Sequence, residues 1–329
     1  MDGPVLVTGG TGFVGSWCVK TLLDQGQAVR ATVRSAQKAA TLRSLFQDHP
    51  RLETAVADLT RDDGWRAAVE GCAGVLHVAS PMSAERGGDL LGPARDGALR
   101  VLRAATEAGA PRVVLTSSTA AAAAAGVEVN DERSWTDPTE PHLNAYRISK
   151  ILAERAAWDF MAEHGGRTAL TTILPSAVFG PVLRREDLGS VQLIDRLIKG
   201  AMPAVPRIGF CVVDVRDLAA AHVAALTSPE APGERFIAAG EHLWFSEVAR
   251  LLADGLGPAG ARVPTRALPD LLVRLGALFS PEMAMLTPML GRKFLFSAEK
   301  AKRVLGFSPR PAATTLLDCA NSLLDRPSA

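Results

Sequence analysis

The chain has 329 residues, of which 36 are basic, 35 acidic and 47% hydrophobic, enough to bury a sizeable core in one large domain or in one domain with a smaller lobe. Balanced charge without a long basic run argues against a nucleic-acid or membrane-surface partner. No apolar stretch reaches the roughly 18 residues that span a bilayer, and the start, Met1-Asp2-Gly3-Pro4, lacks the basic and apolar regions of a secretory signal, so a cytoplasmic protein is expected.

In chain order, Val5-Leu6-Val7 is a short apolar run followed at once by glycines. Val14, Cys18, Val19, Leu22 and Leu23 then recur at helical spacing, Gly26 ends that helix, and Val29, Ala31 and Val33 alternate as a strand does. Further strands are expected over Leu52 to Val56, Val75 to Ala79, Val113 to Leu115 and Leu170 to Leu174. Helices are expected over Pro93 to Ala108, with the proline at the start, and over Leu143 to His164. Apolar strands alternating with amphipathic helices imply an α/β fold, a doubly wound, mostly parallel sheet covered on both faces. After about residue 175 proline and glycine become frequent, and the helical patterns shorten to Asp217 to Leu226, Ser246 to Leu256 and Ser297 to Leu305. We read residues 1–175 as the sheet domain, with parts of 207–240 returning to it, and 176–329 as mainly a smaller, interleaved C-terminal lobe that binds substrate. Ala120 to Ala125 is the one low-complexity tract.

The four cysteines, Cys18, Cys72, Cys211 and Cys319, are far apart and read as buried small hydrophobes in a reducing compartment. The six histidines, His49, His77, His142, His164, His222 and His242, lack ligand spacing, and no metal site is expected.

Chemistry enters at Thr8-Gly9-Gly10-Thr11-Gly12-Phe13-Val14-Gly15, between the first strand and the first helix. Glycines there allow a tight turn and let the backbone approach a pyrophosphate, and the helix N-terminus offers unpaired N–H groups. The place about 20 positions further on decides the dinucleotide, because NAD enzymes put a carboxylate there to bind the ribose. Here Thr32-Val33-Arg34-Ser35 occupies it; an arginine suits a 2′-phosphate, with Ser35 and Lys38 to assist, so NADP(H) is the expected cofactor. Asp58-Leu59, past the third strand, can meet the adenine amino group and ring, or Asp58 can simply cap a turn.

Tyr146 and Lys150 share one face of the long helix, and Tyr146 is the only tyrosine in the chain. A phenol is a poor acid–base near neutrality, and a neighbouring ammonium would lower its pKa. The lysine can also bond a ribose hydroxyl of the nicotinamide. Thr116-Ser117-Ser118-Thr119 follows the fifth strand, where a serine hydroxyl, at 117 or 118, can donate to a carbonyl oxygen.

In this order and at these spacings the motifs make the sequence resemble the extended short-chain dehydrogenase/reductase superfamily, nearest its branch of dihydroflavonol reductases, cinnamoyl-CoA reductases and microbial ketone and aldehyde reductases. The stretches that carry the resemblance are those above with His77-Val78-Ala79-Ser80-Pro81, Leu174-Pro175-Ser176-Ala177-Val178-Phe179-Gly180-Pro181 and Val213-Asp214-Val215-Arg216-Asp217. The resemblance implies a Rossmann fold and a Ser118, Tyr146, Lys150 triad that reduces a ketone or aldehyde. It implies that Thr116 and Ser117 support the cofactor side, that Ala79, Ser80 and Pro81 lie along the cofactor, and that Pro175, Ser176 and Val178 flank the nicotinamide. Residues 213–217 would fix the smaller lobe, and the alanine tract would make a small, apolar pocket floor. Leu183, Val191, Ile194, Met202 and Phe210 could line that pocket or be core. Relatives are monomers, or dimers built on helices near 95–109 and 145–163.

Two other functions fit the same fold. One is a nucleotide-sugar epimerase or dehydratase with tightly bound NAD; dehydratases carry Thr-Asp-Glu where this chain has Ser117-Ser118-Thr119, and epimerases an asparagine where it has Ala177. The other is a non-catalytic NADP-sensing regulator, a kind that typically loses the tyrosine.

Overall fold

The computed structural model describes residues 2–80, 91–141, 143–184 and 189–325; Pro81 and His142 lie outside them. The first half alternates strands and helices: β1 (Val5–Thr8), α1 (Phe13–Asp24), β2 (Val29–Val33), α2 (Ala36–Leu45), β3 (Leu52–Val56), α3 (Trp65–Val69), β4 (Gly74–His77), α4 (Leu91–Glu107), β5 (Arg112–Thr116), the two-residue β6 (Val129–Asn130), α5 (Ala145–His164) and β7 (Ala169–Pro175). There follow β8 (Ala177–Phe179), α6 (Val191–Ile198), β9 (Val205–Pro206), β10 (Gly209–Asp214), α7 (Val215–Thr227), β11 (Arg235–Ala238), β12 (His242–Trp244), α8 (Phe245–Gly255), β13 (Ala267–Leu268), α9 (Asp270–Gly276), α10 (Pro281–Leu286), β14 (Leu295–Phe296), α11 (Glu299–Leu305) and α12 (Ala312–Leu324).

The main sheet has seven strands in the order β11-β7-β5-β4-β1-β2-β3, all paired parallel. It is the doubly wound α/β architecture expected. Val5, Val7, Val29, Ala31, Leu76 and Val114 are buried on one side against α1 and α7; Leu6, Val75, Val113 and Leu115 are buried on the other with Val101, Leu102 and Ala105 of α4 and Ala157 of α5. Strands buried on both faces read as continuous apolar runs, which is why they stood out in the sequence. The strand order reverses between β1 and β4, where the register sets Thr8 beside His77. A crevice outside the C-terminal strand ends opens at such a point.

A small sheet, β12-β10-β8, with α6, α8 and α12, has its own core around Phe179, Ile194, Leu197, Phe245, Leu252 and Leu316. Val191 and Ile194 are fully buried there, so they are core; Met202 and Phe210 are partly buried against it. Asp214 caps α7, accepting from the Arg216 amide at 2.8 Å, and its carboxylate is paired with Arg216 at 2.7 Å and Arg310 at 3.2 Å. Arg216 reaches Asp318 of α12 at 2.7 Å and Arg310 reaches Asp217 at 2.8 Å. The charged residues of 213–217 thus tie α7 to the C-terminal segment, the structural part expected of them.

All four cysteines are free and buried, and burial pushes the thiols of Cys18 and Cys319 up to about 12. Among the described residues no helix is long and apolar enough to cross a membrane, and no group of three or more His, Cys, Asp or Glu side chains could hold a metal ion.

Candidate active site

The ends of β1, β4, β5 and β7 and the first turns of α1 and α5 carry the site residues. Helix α5 starts at Asn144, whose side chain accepts from the Arg147 amide at 2.9 Å, an N-cap that sets the first turn and so the heading of Tyr146 and Lys150. Lys150, 6% exposed, donates from Nζ to the Thr116 carbonyl oxygen at the end of β5, at 3.3 Å. Burial pulls its pKa down to about 8, opposed by the charge of Glu154 one turn on.

The two serines separate. The Ser117 side chain is buried and donates to Glu154 Oε2 at 2.6 Å. Ser118 has extended backbone, φ −162° and ψ 151°, its hydroxyl accepts from the Ala120 amide at 3.1 Å, and its side chain lies near enough to the Tyr146 phenol to lower the phenol's pKa. Burial holds the phenol above its ordinary pKa, and Ser118 offsets part of that. This corrects the expectation of a phenol pulled down by its lysine, because here the cost of burying a phenolate dominates. A phenol that keeps its proton is suited to give one to a developing alkoxide.

At the glycine turn, a Cβ on Gly15 would lie 2.2 Å from the Gly9 carbonyl oxygen, and one on Gly10 would lie 2.8 Å from the Ala31 Cβ. Gly9, at φ +67°, lies against Ala79. Those three positions need glycine for packing. Gly12 does not: a Cβ there meets only the Gly9 oxygen, at 3.3 Å, and its extended backbone starts α1 with no side-chain cap. Thr11, Gly12, Phe13 and Val14 keep partial exposure, and the first turn of α1 carries no acidic residue. The result is a helix start with no side-chain cap and little in the way at Gly12, which suits an approaching anion such as a pyrophosphate.

The other expected cofactor residues line the same edge. The Val78 and Ala79 amides donate to Thr8 Oγ1 at 3.1 and 3.0 Å, which leaves the Thr8 proton for His77 Nδ1, 2.8 Å away. Ser80 is half-buried beside them. At the end of β7, Pro175 is buried, Val178 half-buried, and the buried Ser176 hydroxyl has no protein partner, which a ligand there would supply. The residues present therefore fit a dinucleotide. Arg34 is exposed at the end of β2, and its charge, with a larger contribution from the Thr60 amide, lowers the pKa of Asp58. Asp58 accepts from the Thr60 amide and hydroxyl, both at 2.8 Å, so it caps a turn, the plainer of its two sequence readings. Leu59 packs against Gly97 of α4. Ser35 is the N-cap of α2, accepting from the Lys38 amide at 3.3 Å, and Lys38 is half-buried in its first turn.

The alanine tract differs from expectation. Ala121 and Ala122 are fully buried against Ile151 and Leu174, and Thr136 bonds both the Ala123 amide and the Ala120 carbonyl. Small side chains let the chain turn back under α5, so this part of the tract is core, not pocket floor. Two polar links went unseen in the sequence. Glu154 pairs with Arg235 of β11 at 2.9 Å, and the Thr116 hydroxyl donates to His222 Nε2 at 2.7 Å, since His222 Nδ1 bonds the Leu218 carbonyl at 2.8 Å. Each joins residues distant in sequence, and the only local signal was Glu154 one turn beyond Lys150.

A doubly wound sheet with an uncapped helix start at its switch point and a tyrosine–lysine helix across the crevice defines an oxidoreductase of the extended short-chain dehydrogenase/reductase class. Comparison with known proteins agrees. The model of the NAD dependent epimerase/dehydratase family matches residues 5–239, and the chain belongs to that family. It is 37% identical over 263 residues to cinnamoyl-CoA reductase 1 of Oryza sativa subsp. japonica, covering 76% of this chain and 75% of that one. It is 33% identical to the ketoreductase azaE of Aspergillus niger, over 98% of both chains. Among solved structures, yeast methylglyoxal/isovaleraldehyde reductase Gre2, complexed with NADPH, superposes with a TM-score of 0.81 at 27% identity over 98% of each chain.

Proposed function

We propose that the protein is an NADPH-dependent reductase that converts a ketone or aldehyde to an alcohol, with Ser118, Tyr146 and Lys150 as the catalytic residues. The observation that carries this reading is the placement of the Ser118 side chain beside the Tyr146 phenol, with the buried Lys150 one turn along the same helix and tied to Thr116. When bound, the reduced nicotinamide supplies the hydride. The chain's own residues do the rest. The phenol of Tyr146 gives its proton to the carbonyl oxygen as charge develops there, and the Ser118 hydroxyl donates to the same oxygen. Lys150, anchored on Thr116, would hold the nicotinamide ribose and places a positive charge one turn from the phenolate that Tyr146 becomes. Holding carbonyl and cofactor in one geometry is the larger part of the catalysis.

Residues 9–15 would hold the pyrophosphate, Arg34 and Lys38 the 2′-phosphate, Leu59 the adenine, and Ser176 and Val178 the nicotinamide. In this reading residues 1–175, with β11, carry the cofactor and 176–329 mainly the substrate, a small apolar or aromatic carbonyl compound. The test is oxidation of NADPH, then NADH, followed by absorbance against aryl ketones, aldehydes and β-keto esters. Turnover with NADPH preferred supports the proposal. No turnover with any carbonyl, with NAD co-purifying, would replace it by the sugar-nucleotide reading.

A further inference from the structure

Behind the Ser118–Tyr146 pair lies an ion pair that the proposed reaction leaves without a role. The Glu154 side chain is wholly buried, and that of Arg235 beside it is 8% exposed. Glu154 Oε1 accepts from Arg235 Nε at 2.9 Å and from the Thr172 hydroxyl at 2.8 Å; Oε2 accepts from the Ser117 hydroxyl at 2.6 Å. Arg235 Nη1 donates to the carbonyls of Glu132 at 2.7 Å and Ser134 at 2.8 Å, Nη2 donates to Glu154 Oε2 at 3.3 Å and the Ala121 carbonyl at 3.4 Å, and the group lies 3.6 Å over the Trp135 ring. Stability alone is a weak reason for such a pair, since apolar residues of equal volume serve as well. This one joins the catalytic helix, the turn after β5, the edge strand β11 and the 132–135 segment.

We propose that Glu154 is a positioning residue: held by Arg235, it pins Ser117 inward so that Ser118 faces Tyr146, and it sets a negative charge one turn from Lys150. The inference rests on the catalytic reading above. Successive side chains of extended backbone point to opposite sides, and Ser118 is extended, so anchoring Ser117 in the core turns Ser118 to the crevice. Lys150 is faced by Glu154 from its own helix, where Tyr146 stands one turn back, by His77 from β4 and by the Thr116 carbonyl from β5. His77 is buried and neutral near pH 7, its pKa pushed down to about 3, so Glu154 is the charge that offsets the burial of Lys150.

Glu154→Gln, Ser117→Ala and Tyr146→Phe, assayed together, test this. Glu154→Gln is expected to lower kcat about tenfold or more, leave the KM for NADPH within about twofold of wild type, and move the basic limb of the kcat–pH profile to lower pH. Ser117→Ala is expected to lower kcat about three- to tenfold with the limb in place. Wild-type kcat in Ser117→Ala, or an unmoved limb in Glu154→Gln, would overturn the proposal. Should Glu154→Gln fail to fold, Glu154→Asp takes its place: it keeps the charge and shortens the reach, so kcat falls while the limb stays, and wild-type kcat or a displaced limb overturns the idea. Activity retained in Tyr146→Phe removes the catalytic reading itself. An inactive Tyr146→Phe beside a fully active Ser117→Ala removes only the positioning role.

Discussion

Lys150 donates to the Thr116 carbonyl oxygen at 3.3 Å, tying α5 to the end of the inner strand β5. The same threonine's hydroxyl bonds His222 of α7 at 2.7 Å, so the lysine is held by a chain of contacts that crosses the sheet.

That burial sets a pH dependence. Lys150 loses its proton near pH 8, whereas the Tyr146 phenol is held above its ordinary value. Carbonyl reduction needs both protonated, so kcat/KM for NADPH-driven reduction falls as pH rises through about 8. Unfolding is not the cause: between about 8 and the ordinary 10.5 the unfolded chain binds more protons at this lysine, so on its account stability rises with pH. Initial rates beside thermal melts over that range check both signs; a rate that climbs through pH 8 contradicts the assignment.

Acid acts through the buried histidines. Burial pushes His77 down to about 3 and His222 to about 4, from 6.5. Below 6.5 the unfolded chain takes up protons that the folded one refuses, so stability is lost as pH falls from 6.5 towards 4, at most about 1.4 kcal/mol per pH unit for each histidine. Tm against pH measures this, and His222→Gln should flatten the slope.

The glycine turn separates folding from binding. Gly15→Ala forces a Cβ to 2.2 Å from a backbone oxygen and should cost about 3 kcal/mol or more of stability. Gly12→Ala meets nothing closer than 3.3 Å at an allowed φ of −76°. It should melt within a few degrees of wild type yet bind NADPH at least about tenfold more weakly, because the methyl stands where the pyrophosphate approaches. Calorimetry of the two variants distinguishes these outcomes.

Arg34 is exposed and carries no fold-supporting ion pair among the described residues. Arg34→Ala should leave Tm unchanged, raise the KM for NADPH about ten- to hundredfold, and leave that for NADH almost unaltered. Equal effects on both cofactors would place the 2′-phosphate elsewhere.

What could be read in the sequence was local. Val5-Leu6-Val7 before glycines, and Tyr146 four residues ahead of Lys150, carry their meaning within a few positions, and β1, α1 and α5 form there. The Glu154–Arg235 pair did not show, because a glutamate on a helix usually faces water and its partner stands on a strand far along the chain. Nor did α2 and α12: Ser35 looked like a phosphate ligand and serves as a cap, and α12 takes its place by packing on α6 and α8 in the second core. The choice between Ser117 and Ser118 likewise depended on tertiary contacts, since only the buried carboxylate tells one hydroxyl from the other.

The central claim is that Tyr146 delivers the proton. The direct measurement is kcat/KM for NADPH-dependent reduction of the best carbonyl substrate by wild type and Tyr146→Phe, with NADPH affinity measured by fluorescence on both. The account predicts a loss of about 10²- to 10⁴-fold in kcat/KM with NADPH affinity within about threefold of wild type. A Tyr146→Phe variant that reduces the substrate at a rate close to wild type would contradict it.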